Sequence, residues 1–323
     1  MSGSALHAYQ PTSRKTMSLK IVFMGTPDFA VASLRALQNT DNLIVGVITA
    51  PDKPAGRGKK LKQSAVKIFA LKNELNTLQP NNLKDQEFQK ELSELEADLF
   101  VVVAFRMLPE SVWTMPPKGT INLHGSLLPD YRGAAPINWA IMNGDEKTGV
   151  TTFFIEKEID TGKVIAQENL SIGPNESAGE IHDRMMILGA ETLVRTVDAI
   201  ASDLAEAIPQ RVMNGKMRKA PKIFKSDCEI DWNLPAQEVH NHIRGLSPYP
   251  TAWTTVGEKT MKVFQGKTAL SLAVAPGEWM VNGDRLFVGC KDFGYELLEV
   301  QLEGKKRMEV KAFLLGSKKL FDV

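Results

Sequence analysis

Leu99-Phe100-Val101-Val102-Val103-Ala104 is six apolar residues in a row, three of them β-branched and none polar. A strand with one face in water alternates apolar and polar residues, so an unbroken run marks a strand covered on both faces, as in a parallel sheet between helices. The same signature recurs on either side. Leu19 to Met24 ends at Gly25, Leu43 to Thr49 forms a second run, and Thr120 to His124 reads as a further strand. Between them lie helical patterns: Phe29, Ala30, Ala32, Ser33, Leu34 and Leu37, then about Ser64 to Lys72, then about Lys84 to Leu95. Alternating strands and helices of this kind predict a doubly wound α/β domain with a mostly parallel sheet.

Further along, Val150 to Ile155 and Gly162 to Leu170 read as two more strands, and Ala178 to Ala201 as a long amphipathic helix. The pattern then changes. A polar stretch near Pro209 to Pro221 reads as a linker, and Ile230, Trp232, Ala236, Val239 and Ile243 suggest one helix. From Trp253 onward, short alternating strands are separated by Gly257, Gly266, Gly277, Gly283, Gly294 and Gly304, the spacing of a small β-barrel. The expected organisation is a leader over 1–16, a first domain over 17–208, a linker over 209–222 and a second domain over 223–323. The leader lacks an apolar core and any hydrophobic period, so it stands outside the fold.

Composition narrows the class. Of 323 residues, 43% are hydrophobic and 24% charged, ordinary for a chain with a sizeable core. No apolar run approaches the roughly 18 residues of a membrane span. Two cysteines cannot build a disulfide framework, and no Cys/His cluster has zinc spacing; a reducing, cytosolic compartment and no metal are expected. Net charge is only +1, yet from Arg211 onward 18 Lys and Arg stand against 13 Asp and Glu. That excess points weakly to a polyanion and is equally what solvated surface lysines produce.

The segment after the first strand, Gly25-Thr26-Pro27, lacks both G-x-G-x-x-G and the P-loop lysine, which argues against a nicotinamide enzyme or a nucleotide hydrolase. Gly25 then serves either to make the turn or to contact a ligand. The informative stretch is Ile121-Asn122-Leu123-His124-Gly125-Ser126-Leu127-Leu128-Pro129, with Tyr131-Arg132-Gly133-Ala134-Ala135-Pro136 behind it. Asn122 and His124 are two apart at a strand's C-terminal end, so they face the same side where open α/β sheets bind ligands. An amide donor beside an imidazole can stabilise an oxyanion, although a structural histidine and a turn-forming asparagine fit as well. Asp160, in Glu158-Ile159-Asp160-Thr161-Gly162, could orient the imidazole, but spacing alone cannot bring them together. His182, His240 and His242 read as structural. His240 and His242 sit two apart on a helix and face different sides, which disfavours a shared metal. Trp232 and Trp253 read as core anchors.

Taken together, His124-Gly-Ser-Leu-Leu-Pro129, Arg132-Gly-Ala-Ala-Pro136 and Asp160-Thr-Gly resemble the folate-dependent formyltransferase superfamily. Phe23-Met-Gly-Thr-Pro-Asp-Phe29, Pro51-Asp-Lys-Pro-Ala-Gly-Arg-Gly-Lys-Lys-Leu61 and Ile230-Asp-Trp232 extend the resemblance from about Ser18 to Val323, toward the branch that formylates methionyl-tRNA. The resemblance implies 10-formyltetrahydrofolate as donor and methionyl initiator tRNA as acceptor, with Asn122, His124 and Asp160 catalytic. It implies that Ser126, Leu127, Leu128 and Pro129 border the folate. It also implies that Arg57, with Lys59 and Lys60, reaches the acceptor end of the tRNA, and that the second domain is an OB-like barrel. A basic track through Lys216, Arg218, Lys219, Lys222 and Lys225 would extend that contact. The enzyme is expected to act as a monomer. The sequence departs from the family at Ala104-Phe105-Arg106, where related enzymes more often carry a Tyr-Gly pair beside the pterin. Two other readings remain open: formylation of a small amine such as a ribonucleotide or amino sugar, and a non-catalytic RNA-binding protein on the same fold.

Overall fold

The structure, a computed structural model, describes residues 18–55, 60–211, 217–270 and 274–321, apart from the side chains at 54, 55 and 60. The expected leader, Arg57, Lys59 and Lys216 therefore lie outside the described residues.

The first half is a seven-stranded sheet. In spatial order its strands are Val164–Ser171, Lys147–Phe154, Thr120–His124, Leu99–Val103, Lys20–Gly25, Leu43–Ile48 and Thr77–Leu78. The last five pair in parallel, and the first two join antiparallel at one edge. The apolar runs divide their side chains between two cores. Ile21, Phe23, Leu99, Val101 and Val103 enter one, and Val22, Met24, Phe100 and Val102 the other. Successive residues point to opposite faces of a strand, so this division is why the runs are unbroken. The first core is closed by helices Asp28–Gln38 and Ala178–Ala201, the second by Gln86–Glu94. Ser177 and Glu180 start the long helix as a reciprocal capping box. Gly25 lies where a Cβ would come within 2.6 Å of the Ala30 Cβ and 3.0 Å of the Val103 carbonyl, so glycine there permits the close turn.

The second half has its own core, with Trp232, Ile243, Val263, Tyr295 and Leu297 at its centre. Its antiparallel sheet runs Ala252–Val256, Lys259–Ala269, Gly294–Leu302, Arg285–Gly289 and Trp279–Asn282, with Met308–Glu309 beside Gly294–Leu302. The two end strands of that path do not pair with each other among the described residues, so the OB-like sheet is left open. Helix Ala236–Leu246 joins the halves. The Asn138 amide donates to the Gly245 carbonyl (2.7 Å), and Arg244 donates to the Gly173 and Glu176 carbonyls (3.2 and 3.0 Å). His240 spans the same seam between the Pro174 carbonyl and the Tyr295 hydroxyl.

Candidate active site

Asn122 and His124 end the strand Thr120–His124 and point into one cavity of about 690 Å³. The His124 ring is 7% exposed. Its Nε2 lies 2.9 Å from the Tyr131 carbonyl, which can only accept, so Nε2 carries hydrogen and donates. The remaining ring nitrogen, Nδ1, is 3.8 Å from the Asp160 carboxylate. Asp160 arrives from the turn after strand Lys147–Phe154 with φ at +55°, the left-handed region that Asp adopts more readily than most L residues. Its Oδ2 accepts the Gly133 N–H (2.9 Å), and its carbonyl accepts from the Gln210 amide (2.9 Å). The structure thus joins Asp160 to His124 across 36 residues of sequence, which spacing alone could not show. Asn122 is half-buried, and among the described residues its side chain makes no hydrogen bond that would occupy it.

The apolar walls of the cavity are Val102, Phe105, Leu108, Phe153 and Ile155, and Glu156 to Asp160 form its other side. The volume falls within the ordinary range for ligand pockets. The departure at 104–106 builds part of this wall. Arg106 turns back to donate to the Asn81 carbonyl (2.9 Å) and the Pro80 carbonyl, and lies over the Phe105 ring, tying the wall to the neighbouring turn.

Ser126, Leu127, Leu128 and Pro129, expected to border the folate, follow directly on Gly125, which lines the cavity. Ser126 is fully buried and donates to the Asp130 carbonyl (2.6 Å). Thr151 donates to the Ser126 carbonyl and accepts from the Leu128 N–H, and Gln167 donates to the Leu128 carbonyl. Their polar groups are used in bracing the loop against the antiparallel edge. The segment expected to be a linker is docked on the first half where it is described. Gln210 and the segment Arg218 to Ala220 are hydrogen-bonded to the loop from Asp130 to Ala135. His182, read as structural, lines the cavity and packs on Phe29 with ring centres 5.3 Å apart. His240 is buried and His242 half-buried, neither of them lining the cavity, and Trp232 anchors the second core as expected.

Of the basic loop, strands Lys53–Ala55 and Lys60–Lys62 are described, and they pair antiparallel. The loop's acid, Asp52, is engaged at its root: the Gln79 amide and the Lys67 ammonium (2.6 Å) hold its carboxyl below the usual range. Lys53 and Lys62 are exposed. The side chains of Arg57, Lys59 and Lys60 lie outside the described residues. No group of three or more His, Cys, Asp or Glu residues that could hold a metal, and no helix long and apolar enough to cross a membrane, occurs among the described residues.

Comparison with known proteins follows the same division. Residues 19–197 match the family model described as formyl transferase, and 222–318 the one described as formyl transferase, C-terminal domain. A methionyl-tRNA formyltransferase of Bacteroides thetaiotaomicron is 50% identical over 311 residues, covering 94% of this chain and 97% of the relative. That of Flavobacterium johnsoniae is 48% identical over 303 residues, covering 92% and 96%. Among solved structures, an N-formyltransferase from Helicobacter canadensis, in complex with folinic acid and dTDP-3-aminofucose, superposes with a TM-score of 0.64 at 19% identity. It covers 86% of this chain and 98% of its own, a likeness of fold alone. With both family models matched and relatives half identical along nearly their whole length, the chain belongs to the formyl transferase family, on the branch of the methionyl-tRNA formyltransferases.

Proposed function

We propose that this protein transfers the formyl group of 10-formyltetrahydrofolate to the α-amine of methionine esterified to initiator tRNA. The observation that carries the chemistry is that Asn122, His124 and Asp160 line one cavity, with the Nδ1 of His124 3.8 Å from the Asp160 carboxylate. The cavity would hold the pterin between Val102, Leu108, Phe153 and Ile155, presenting the formyl carbon to the three polar groups.

The amine nitrogen attacks the formyl carbon, and negative charge develops on the formyl oxygen. The Asn122 amide and His124 Nδ1–H, with the ring as imidazolium, donate to that oxygen. Asp160 stabilises the imidazolium and passes the amine's proton through water to the folate nitrogen. Collapse breaks the bond from carbon to that nitrogen and leaves formylmethionyl-tRNA and tetrahydrofolate. In this reading the catalytic unit spans 17–208, a linker spans 209–222, and 223–323 binds tRNA together with Arg57, Lys59 and Lys60. The enzyme works as a monomer in the cytoplasm, in keeping with two buried free thiols.

Small-amine formylation shares the trio and the fold. The half-identical relatives and the basic loop, whose acid is already paired at its root, favour tRNA. Incubation with 10-formyltetrahydrofolate and charged initiator tRNA tests the reading: formylmethionine should appear on the tRNA. Formylation of an amino sugar or ribonucleotide with none on tRNA would overturn it.

A further inference from the structure

We propose that the segment joining the two halves positions the reaction centre, with Gln210 setting Asp160 and Arg218 setting His124; the inference rests on the formyl-transfer reading above. Gln210 spends its amide entirely on this site. Its Nε2 donates to the carbonyls of Asp160 and Gly162 (both 2.9 Å), and its Oε1 accepts from Arg132 Nε and Nη2 (3.1 and 2.6 Å). Asp160 holds a left-handed backbone, and the hydrogen bonds to its carbonyl and to the Gly162 carbonyl fix where the carboxylate points.

Arg218 acts on the other partner. Its Nη1 donates to Asp145 Oδ1 (2.5 Å) and its Nη2 to Asp130 Oδ2 (2.9 Å), while its guanidinium lies 4.7 Å over the Tyr131 ring. The Tyr131 hydroxyl donates to the other oxygen of Asp145 (2.8 Å), and its backbone N–H donates to the Arg218 carbonyl (2.7 Å). Tyr131 is therefore held at ring, hydroxyl and amide while its φ is +61°. Its remaining backbone group, the carbonyl, is the acceptor that sets the His124 tautomer. Adjacent Lys219–Ala220 runs parallel to Arg132–Gly133, and Ala220 accepts from the Ala134 N–H (2.7 Å), so the segment docks as a short strand. Both are positioning residues, acting through Tyr131 and the Asp160 turn rather than on substrate.

Arg218 is half-exposed in a basic stretch, and a simple phosphate contact is the rival explanation. The two differ in what they require. Bridging two separate carboxylates needs the guanidinium fork, whereas a phosphate is satisfied by any cation there. The test compares wild type, Arg218→Lys and Gln210→Ala, all shown by circular dichroism to melt cooperatively. Each is assayed for kcat, for KM toward both substrates, and for the salt dependence of tRNA binding.

Positioning predicts that both variants lose about tenfold in kcat. Their KM values should stay within about threefold, and the salt slope should match wild type. Asp130→Asn combined with Arg218→Lys should fall no lower than the worse single variant, because the two act as one unit. In the free protein, nitrogen NMR of His124 should show the hydrogen-bonded Nε2–H in wild type and a weakened bond in Arg218→Lys. Wild-type kcat in Arg218→Lys together with an unchanged His124 spectrum, or a raised KM for tRNA with unchanged kcat, overturns the inference. Absence of formyl transfer by wild type would sink the reading above instead, and the His124 spectrum would still decide the role of Arg218.

Discussion

Replacing Asp160 with asparagine isolates the electrostatic part of the site. Asparagine keeps the size of the side chain and an oxygen to accept the Gly133 N–H now bonded at 2.9 Å, so the turn should survive. What it removes is a charge 3.8 Å from His124 Nδ1. Two unit charges at that distance interact by roughly 4 kcal/mol at the effective dielectric of about 20 that suits protein sites. Both side chains are largely buried, 7% and 13% exposed, so bulk water screens the pair little, but water entering the open cavity would trim the value. A loss of about 2–4 kcal/mol in stabilising the imidazolium corresponds to roughly 30- to 1,000-fold in kcat. The assay is steady-state formylation of charged initiator tRNA with both substrates varied. Turnover should fall by about a hundredfold while both KM values stay within about threefold, since the charge serves the transition state. A folded Asp160→Asn enzyme with kcat within about threefold of wild type would refute the assignment of Asp160 as the partner of His124.

Asn122→Ala should lower kcat by about 10²–10³, the usual cost of one oxyanion donor, with tRNA affinity kept; equal losses in affinity and turnover would point to a binding role instead. Changing Arg57, Lys59 and Lys60 together to alanine should raise KM for tRNA and reduce the slope of log affinity against log salt by about 0.7–0.9 for each phosphate no longer neutralised; filter binding that shows an unaltered slope removes the loop from the interface. The third expectation concerns acid stability. Burial holds His240 and His242 below the ordinary histidine value, so just under about pH 6.5 the unfolded chain binds protons that the folded chain refuses. Stability is then complete above that pH and is lost as pH falls from there toward the folded-state values. The melting temperature should drop between about pH 7 and pH 5.5, and calorimetry should show proton uptake on unfolding; a flat profile would count against buried neutral rings.

The sheet is legible in the sequence because burial on both faces writes itself into composition. Val101 and Val102 enter different cores, and only an unbroken apolar run meets that demand. Helix Ala178–Ala201 is legible for the complementary reason, its Ser177–Glu180 cap and one-sided apolar stripe being local. The candidate site is legible only in halves. Asn122 and His124 share a strand, so the two-residue period places them together, whereas Asp160 reaches His124 through a turn whose direction depends on Gly133 and Gln210. The expected cofactor boundary at Ser126 to Pro129 meets a related limit. Being next to His124 in sequence says nothing about which way the loop's polar groups turn, and Thr151 and Gln167 take them from behind.

The linker shows the limit most clearly. A polar stretch around a glycine has the composition of a tether, and composition cannot register that the Arg218 and Ala220 carbonyls have fixed acceptor roles. Those bonds have a mechanical consequence. Because Arg218 and Ala220 are joined to Tyr131 and Ala134, and Trp139 donates to the Pro221 carbonyl (2.8 Å), pulling the linker away from the first domain would have to loosen the loop that sets His124. The second domain is fastened independently through Asn138, Arg244 and His240. A strain applied to the linker alone would thus reach the Tyr131 carbonyl and the Asp160 turn before it separated the domains.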